Sequence, residues 1–192
     1  MPGRRKCRIM KRKLAPFDGI SVREEEGAEL VAAITGKRPR VMPDPVCLMT
    51  AEEWRTIAAP APDGTPYLLC YFIGENPAYW ERARQIAIGQ GLRPLVIPVT
   101  AEGYSQERIE MLDGAGPEEF LGAVAGADMV LTDSFHGLAF GTIFGKKTEL
   151  IRRYREDDPE SKNSRVDHFL RQMKERSLEE LRMEGLRWLE KL

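Results

Sequence analysis

From residue 67 onward the chain alternates between short apolar runs and helix-like segments. The apolar runs cover residues 67–73, 95–99, 129–131 and 148–151. Their continuous apolar character is typical of strands that are buried on both faces. The intervening segments, which have helical spacing or helix-end signals, are 78–90, 118–125 and 138–144. Strands that alternate with helices predict a Rossmann-like, doubly wound parallel α/β sheet.

The residues that begin and end the predicted helix at 78–90 support the same interpretation. Asn76 and Pro77 fit the cap and first position of a helix, and Gly91 fits its end. Residues 1–58 differ, because they offer only two strand-like segments, which are too few for an independent sheet. We therefore predict four parts. They are a remnant of an N-terminal α/β domain (1–58), a Pro-rich linker (59–66), a Rossmann-like C-terminal domain (67–176) and a C-terminal helix (177–192).

Charge is distributed unevenly along the chain. The 192 residues carry a net charge of −1, which does not favour a general nucleic-acid binder. Residues 1–13 nevertheless hold seven basic side chains and no acidic one, so the remainder has a net charge of −8. Such a segment could bind anionic lipid, RNA or polyphosphate, although a solvated helix face is the commoner explanation.

The sequence predicts a cytoplasmic protein, with the inner face of the membrane as a peripheral location. It contains neither the roughly 18–20 consecutive apolar residues of a membrane span nor an apolar segment after the basic start. Cys7, Cys47 and Cys70 are widely spaced and form no CxxC pair. We therefore expect reduced thiols, the latter two buried, and no disulfide framework, structural zinc site or other metal site.

The strongest candidate site follows the apolar run 129–131. In parallel sheets, ligands bind at the carboxyl ends of strands, where the next helix begins. Here that place is occupied by Asp133, Ser134, His136 and Gly137. A histidine at this edge could transfer a proton near neutral pH, and the helix start favours an anion such as phosphate or carboxylate. The alternative is a structural histidine that is hydrogen-bonded to Asp133.

Weaker candidates lie at other strand ends. Gly116 and Glu118 belong to a glycine-rich loop and helix start at 113–119, which is explained as well by a simple turn. Guanidinium groups suit phosphate and carboxylate, and the chain offers four at suitable places, although most arginines are solvated surface residues. They are Arg23, Arg152, Arg153 and Arg165.

The motifs together resemble those of the polysaccharide pyruvyl transferases. The blocks that carry the resemblance are ISVRE (20–24) with Gly27, DP (44–45), TAEEW (50–54), YFIG (71–74), GPEEF (116–120), ADMVLTDSFHG (127–137) and NSR (163–165). They keep their order from about residue 14 to residue 172. The TDSFHG block is the most specific of them.

The resemblance implies a fold similar to the GT-B glycosyltransferases, with a site between two Rossmann-like domains. It implies transfer of a pyruvyl group from phosphoenolpyruvate, the donor, to a sugar or polysaccharide acceptor in exopolysaccharide biosynthesis, with no separate cofactor. His136 matches the active-site histidine of the family, a general acid/base. Arginines would hold the phosphate and carboxylate of the donor, and the local candidates are Arg152 or Arg153, and Arg165.

Two departures from the family leave alternatives open. Some members have an arginine two residues before the histidine, and Ser134 occupies that place here, which leaves the donor open. Family chains are also roughly twice as long, so this chain resembles a C-terminal half that would require a missing N-terminal half or a homo-oligomer. The alternatives are a nucleotide-sugar glycosyltransferase of GT-B type and a non-catalytic half.

Overall fold

The computed structural model describes residues 3–106, 109–154 and 163–192. The charged loop that the sequence suggests at 153–163 lies mostly outside these residues. In chain order, the elements are α1 (Arg4–Leu14), β1 (Ser21–Val22), α2 (Glu25–Thr35), β2 (Arg40–Val41), a 3₁₀ turn (Pro45–Leu48), α3 (Ala51–Arg55), β3 (Tyr67–Tyr71), α4 (Pro77–Gln90), β4 (Arg93–Val96), α5 (Ala101–Tyr104), β5 (Glu110–Met111), α6 (Pro117–Gly126), β6 (Met129–Thr132), α7 (Phe135–Ile143), β7 (Lys147–Leu150), α8 (Asn163–Glu175) and α9 (Leu178–Leu189).

The described residues fall into two compact units. The first contains residues 3–48 and 163–192, and the second contains residues 49–106 and 109–154. In the first unit β1 and β2 form a parallel pair, and α9 packs against the 3₁₀ turn. There Arg182 Nε donates to the carbonyl of Leu48 over 3.1 Å. This grouping of α8 and α9 with the N-terminal residues differs from the division at residue 176 inferred above, and the sequence-based domain boundaries stay a prediction.

The second unit is built on a five-stranded parallel sheet in the order β5-β4-β3-β6-β7. The central strands β3 and β6 are buried along almost their whole length, with no exposed surface at Leu68, Leu69, Val130 or Leu131. Helices flank the sheet, which confirms the predicted Rossmann-like α/β fold. The chain leaves β3 towards β4 and leaves β6 towards β7, so the crevice between β3 and β6 is the topological switch point of this sheet.

The structure contains two elements that the sequence did not predict, and it shifts the bounds of several others. The strand β5 and the short α5 were not predicted, because both residues of β5 have exposed side chains and present no apolar run. Strand β4 covers Arg93–Val96 instead of 95–99, and Pro98 has no amide hydrogen for a ladder bond. Helix α7 begins at Phe135 instead of residue 138, because the extended Ser134 serves as its N-cap.

The predicted caps of α4 and the predicted burial of Cys47 and Cys70 are confirmed. Asn76 Oδ1 accepts from the amide of Ala78 at 3.0 Å, and Gly91 ends the helix with a φ of 64°. Cys47 and Cys70 are buried free thiols, and burial raises the pKa of each to about 12. For Cys47 the neighbouring Asp44 adds to that rise.

In the part of the chain described, no helix has the length and apolar character required to cross a membrane.

Helix α6 packs tightly on the segment that enters the sheet. The amide of Ala59 donates to the carbonyl of Glu118 over 2.9 Å, and a Cβ on Gly122 would overlap the carbonyl oxygen of Ala59. Backbone atoms cannot move aside as the end of a flexible side chain can. The absence of a side chain at Gly122 therefore permits this contact.

Gly122→Ala should destabilise the protein by about 1–3 kcal/mol, the usual cost of overpacking a tight contact. Gly89→Ala is the matched control, since nothing lies within 4 Å of a Cβ at this position in α4. It should raise the unfolding free energy by about 0.5 kcal/mol through helix propensity. Urea unfolding of both variants measures the difference, and equal effects would contradict the packing explanation.

Candidate functional site

The candidate site is built on the junction between β6 and α7. Thr132, the last residue of β6, donates through Oγ1 to the carbonyl of Tyr71 at 2.6 Å and accepts from the amide of Ser134 at 3.0 Å. These bonds join the ends of β3 and β6 and fix the backbone that enters α7. A Cβ on Gly137 would overlap Thr132 Oγ1, so the glycine allows α7 to begin directly over the strand end.

Asp133 holds the switch-point crevice together. Its side chain has no exposed surface. One oxygen accepts from the amide of Ile73 at 2.7 Å, and the other accepts from the amide of Gly74 at 2.8 Å and from Arg153 Nε at 2.9 Å. The carboxylate therefore connects the loop after β3, the end of β6 and the segment after β7. This arrangement accounts for Asp133 and Arg153 as structural partners, and their predicted contacts with substrate stay a prediction.

His136 is the second residue of α7 and is exposed. Its ring stands edge-on to Phe135, with the ring centroids 5.4 Å apart. The first backbone amides of a helix have no acceptor within the helix, and the helix dipole there favours negative charge. The imidazole is thus placed where an anion bound at the helix start would meet a proton donor or acceptor.

Ser134 is buried at the same junction, with 1% of its surface exposed. As the N-cap of α7 it makes no side-chain cap bond, and its Oγ has no hydrogen-bond partner among the described residues. A hydroxyl that is buried without a partner costs free energy. The position at which some family members have an arginine thus holds a small buried hydroxyl here.

Two further groups reach the same edge of the sheet. Arg152 is exposed and directly precedes Arg153, beyond the end of β7, which pairs with β6 through Thr132 and Leu150. The first turn of α6 also lies here, since the Phe120 ring is 4.8 Å from that of Tyr71 at the end of β3.

The N-cap and the first turn of α6 contain the two candidates from the glycine-rich loop. The amide of Gly116 donates to Glu119 Oε2 at 3.0 Å, and Glu118 is exposed. The second unit therefore brings together the candidates Gly116, Glu118, Asp133, Ser134, His136, Gly137, Arg152 and Arg153.

The two remaining arginines belong to the first unit. Arg23 follows β1 and forms an ion pair with the buried Asp44. Arg165 lies in the first turn of α8 and is half-buried. Ser164 Oγ donates to Glu24 Oε2 at 2.8 Å, so the start of α8 lies against the residue that follows Arg23. The ends of β1 and the start of α8 therefore form a polar cluster of their own.

The first unit also contains a histidine that sequence reasoning did not select. His168 Nδ1 lies 3.4 Å from Arg171 Nη2, and its buried Nε2 has no partner within the described residues. Burial and the charge of Arg171 lower the pKa of His168, against opposing contributions from the acidic residues of the α2 start. Those residues are Glu25, Glu26 and Glu24. The sequence signal that was available is that His168 is one of only two histidines in the chain.

Sequence reasoning listed the YFIG block (71–74) as part of the resemblance but did not select its loop residues, or Tyr79, as part of the site. Ile73 and Gly74 supply the amides that Asp133 binds, and the glycine that follows the apolar run was the signal. Burial, followed by the charge of Asp133, raises the pKa of Tyr79 to about 12, so this phenol is neutral at physiological pH. Within the described residues, no three His, Cys, Asp or Glu side chains are grouped as metal ligands.

Comparison with known families identifies the family of the chain. A family model described as polysaccharide pyruvyl transferase matches residues 3–151. The chain belongs to the polysaccharide pyruvyl transferase family. Membership indicates a transferase-like protein with a polysaccharide acceptor, and the match includes the whole β6–α7 junction. A search of curated proteins found no match.

Asp133→Asn should destabilise the second unit by about 3 kcal/mol, because it leaves the partly buried Arg153 without a counter-charge. Glu149→Gln is the matched control. Glu149 binds Arg82 through two bonds of 2.6 and 2.8 Å, but both side chains are substantially exposed. Its loss should cost at most about 1 kcal/mol. Chemical denaturation compares the variants, and similar losses would show that Asp133 does not hold the crevice.

The stability of the first unit should fall as the pH drops through the ordinary imidazole pKa. Because the folded chain lowers the pKa of His168, the unfolded chain binds the proton more tightly. The contribution is therefore intact above a pH of about 6.5 and is lost as the pH falls towards the lower folded value.

Unfolding free energies of the wild type and His168→Gln at about pH 8 and about pH 6 test this, since these values bracket the ordinary imidazole pKa. The wild type should lose more stability than the variant on acidification. Equal losses in the two proteins would remove His168 as the source.

Proposed function

We propose that the chain transfers a pyruvyl group from phosphoenolpyruvate to two hydroxyls of a sugar in a cell-surface polysaccharide or its precursor. The observation that carries the proposal is the exposed His136 in the first turn of α7, at the carboxyl edge of the sheet, within the part of the chain that matches the family. We infer a place in the cytoplasm, where phosphoenolpyruvate is made, and no resident cofactor.

His136 would act as general acid and then as general base. In the first role the imidazolium gives a proton to the methylene carbon of the enol, which leaves an electrophilic carbon next to the phosphate oxygen. A sugar hydroxyl forms a bond to that carbon and returns its proton to the imidazole. A second hydroxyl then displaces the phosphate, which leaves with the second proton, and the product is a cyclic ketal.

The donor anion would bind at the start of α7. The helix dipole supports a phosphate or carboxylate there, and the exposed Arg152 lies at the same edge, next to Arg153. Arg23 and Arg165 stay candidates on the first unit. A homo-oligomer or a separate N-terminal half remains part of the proposal, because the family site lies between two domains.

His136→Gln should lower phosphate release from phosphoenolpyruvate in the presence of a sugar acceptor by about 100-fold or more, as expected for loss of a general acid/base. The side chain is exposed, so the fold should persist, which circular dichroism checks. Arg84→Gln is the matched surface control, since Arg84 is half-exposed and pairs only weakly with Glu81 at 3.6 Å.

Equal rates for the wild type and His136→Gln would remove His136 from the mechanism. Calorimetry with phosphoenolpyruvate and with a nucleoside diphosphate separates the proposal from a nucleotide-sugar glycosyltransferase. Preferential binding of the nucleotide would overturn the pyruvyl-transfer proposal. Absence of binding to either compound would favour a non-catalytic half.

A further inference from the structure

Helix α1 presents a dense array of positive charge. Its side chains are all exposed except those of Cys7 and Leu14, which are half-buried, and the helix packs against α2. No residue of α1 is acidic. The basic residues are Arg4, Arg5, Lys6, Arg8, Lys11, Arg12 and Lys13. At a rise of 1.5 Å per residue, seven cations lie along roughly 16 Å of helix.

These cations have no counter-charge in the part of the chain that the structure describes. Within residues 3–106, 109–154 and 163–192, none of the seven takes part in an ion pair, whereas Arg38, Arg40 and Arg176 of the same unit each bind a glutamate. The first acidic residue after the helix is Asp18. An array of this kind repels itself and is stabilised by an extended anionic partner.

An exposed isoleucine stands in the middle of the array. Ile9 is 38% exposed. On a helix its side-chain neighbours are the residues three and four positions away in each direction, and all four are basic. They are Arg5, Lys6, Arg12 and Lys13.

Two further apolar side chains are exposed in or just after the helix. Met10 is 44% exposed, and Phe17, three residues beyond the helix end, is 64% exposed. Exposed apolar groups are unfavourable in water. Apolar groups next to cations are stabilised where an apolar layer lies beneath a layer of anions, as in a bilayer.

We propose that α1 docks on an anionic lipid bilayer, with its cations against the headgroups and Ile9 inserted at the acyl boundary. Basic amphipathic helices bind membrane surfaces in this way. A nucleic acid or polyphosphate would satisfy the cations equally well, but it has no continuous apolar layer beneath its phosphates into which Ile9 could insert. The inserted isoleucine therefore distinguishes a bilayer from other polyanions. This inference is independent of the proposed transfer reaction.

Co-sedimentation of the full chain with vesicles tests the docking surface. Vesicles of phosphatidylcholine and phosphatidylglycerol in equal amounts should bind the protein, and vesicles of phosphatidylcholine alone should not. Arg12→Gln should weaken binding by about fivefold, the contribution expected for one basic residue at an anionic surface. Ile9→Ser should also weaken it by roughly fivefold, through lost apolar burial.

Two exposed residues on α4 provide matched controls. Ile88 is 85% exposed but has Arg84 as the single basic residue among its helical neighbours, so Ile88→Ser should leave vesicle binding unchanged. Arg84→Gln should also leave it unchanged. Circular dichroism confirms that each variant is folded.

Absence of binding to the anionic vesicles would overturn the proposal. So would binding that depends on Arg12 but not on Ile9, particularly if a single-stranded RNA oligomer binds as tightly, because that result describes a general polyanion surface. An Ile9→Ser loss that Ile88→Ser reproduces would show non-specific adsorption and would also contradict it.

Discussion

The candidate site depends on one buried carboxylate. Three segments that follow different strands meet at the switch point of the sheet. The segments after β3 and β7 bring donors that need an acceptor, and the segment after β6 brings the acceptor, Asp133. Asp133 satisfies the amides of Ile73 and Gly74 and the guanidinium of Arg153 with its two oxygens. Because these bonds fix the end of β6, they also fix the start of α7 and thereby the place of His136.

The sequence was sufficient to predict the fold because the buried strands are continuous apolar runs. Leu68, Leu69, Val130 and Leu131 have no exposed surface, and the fold class follows from their alternation with helices. Strand β5 could not be predicted in this way. It lies at the sheet edge with exposed side chains, so only its backbone pairing with β4 makes it a strand.

The residues between β6 and α7 could be predicted from the sequence, but the contacts that hold them in place could not. The polar residues between β6 and α7 stand out in the sequence, so His136 and Asp133 were selected. The hydrogen bonds of Asp133 were not predictable, since Ile73 and Arg153 lie 60 and 20 residues away. For the same reason, only the three-dimensional packing shows that the hydroxyl of Ser134 has no partner among the described residues and that the ring of His168 is half-buried.

The chain contains two histidines, and they lie in different units, which allows a direct test of the proposed donor site. Nuclear magnetic resonance of the imidazole nitrogens can follow both rings during titration with phosphoenolpyruvate. The account predicts that the His136 signals shift in a saturable manner while those of His168 stay in place. A saturable shift confined to His168, or no shift of His136 at any donor concentration, would contradict the assignment of the site to the start of α7.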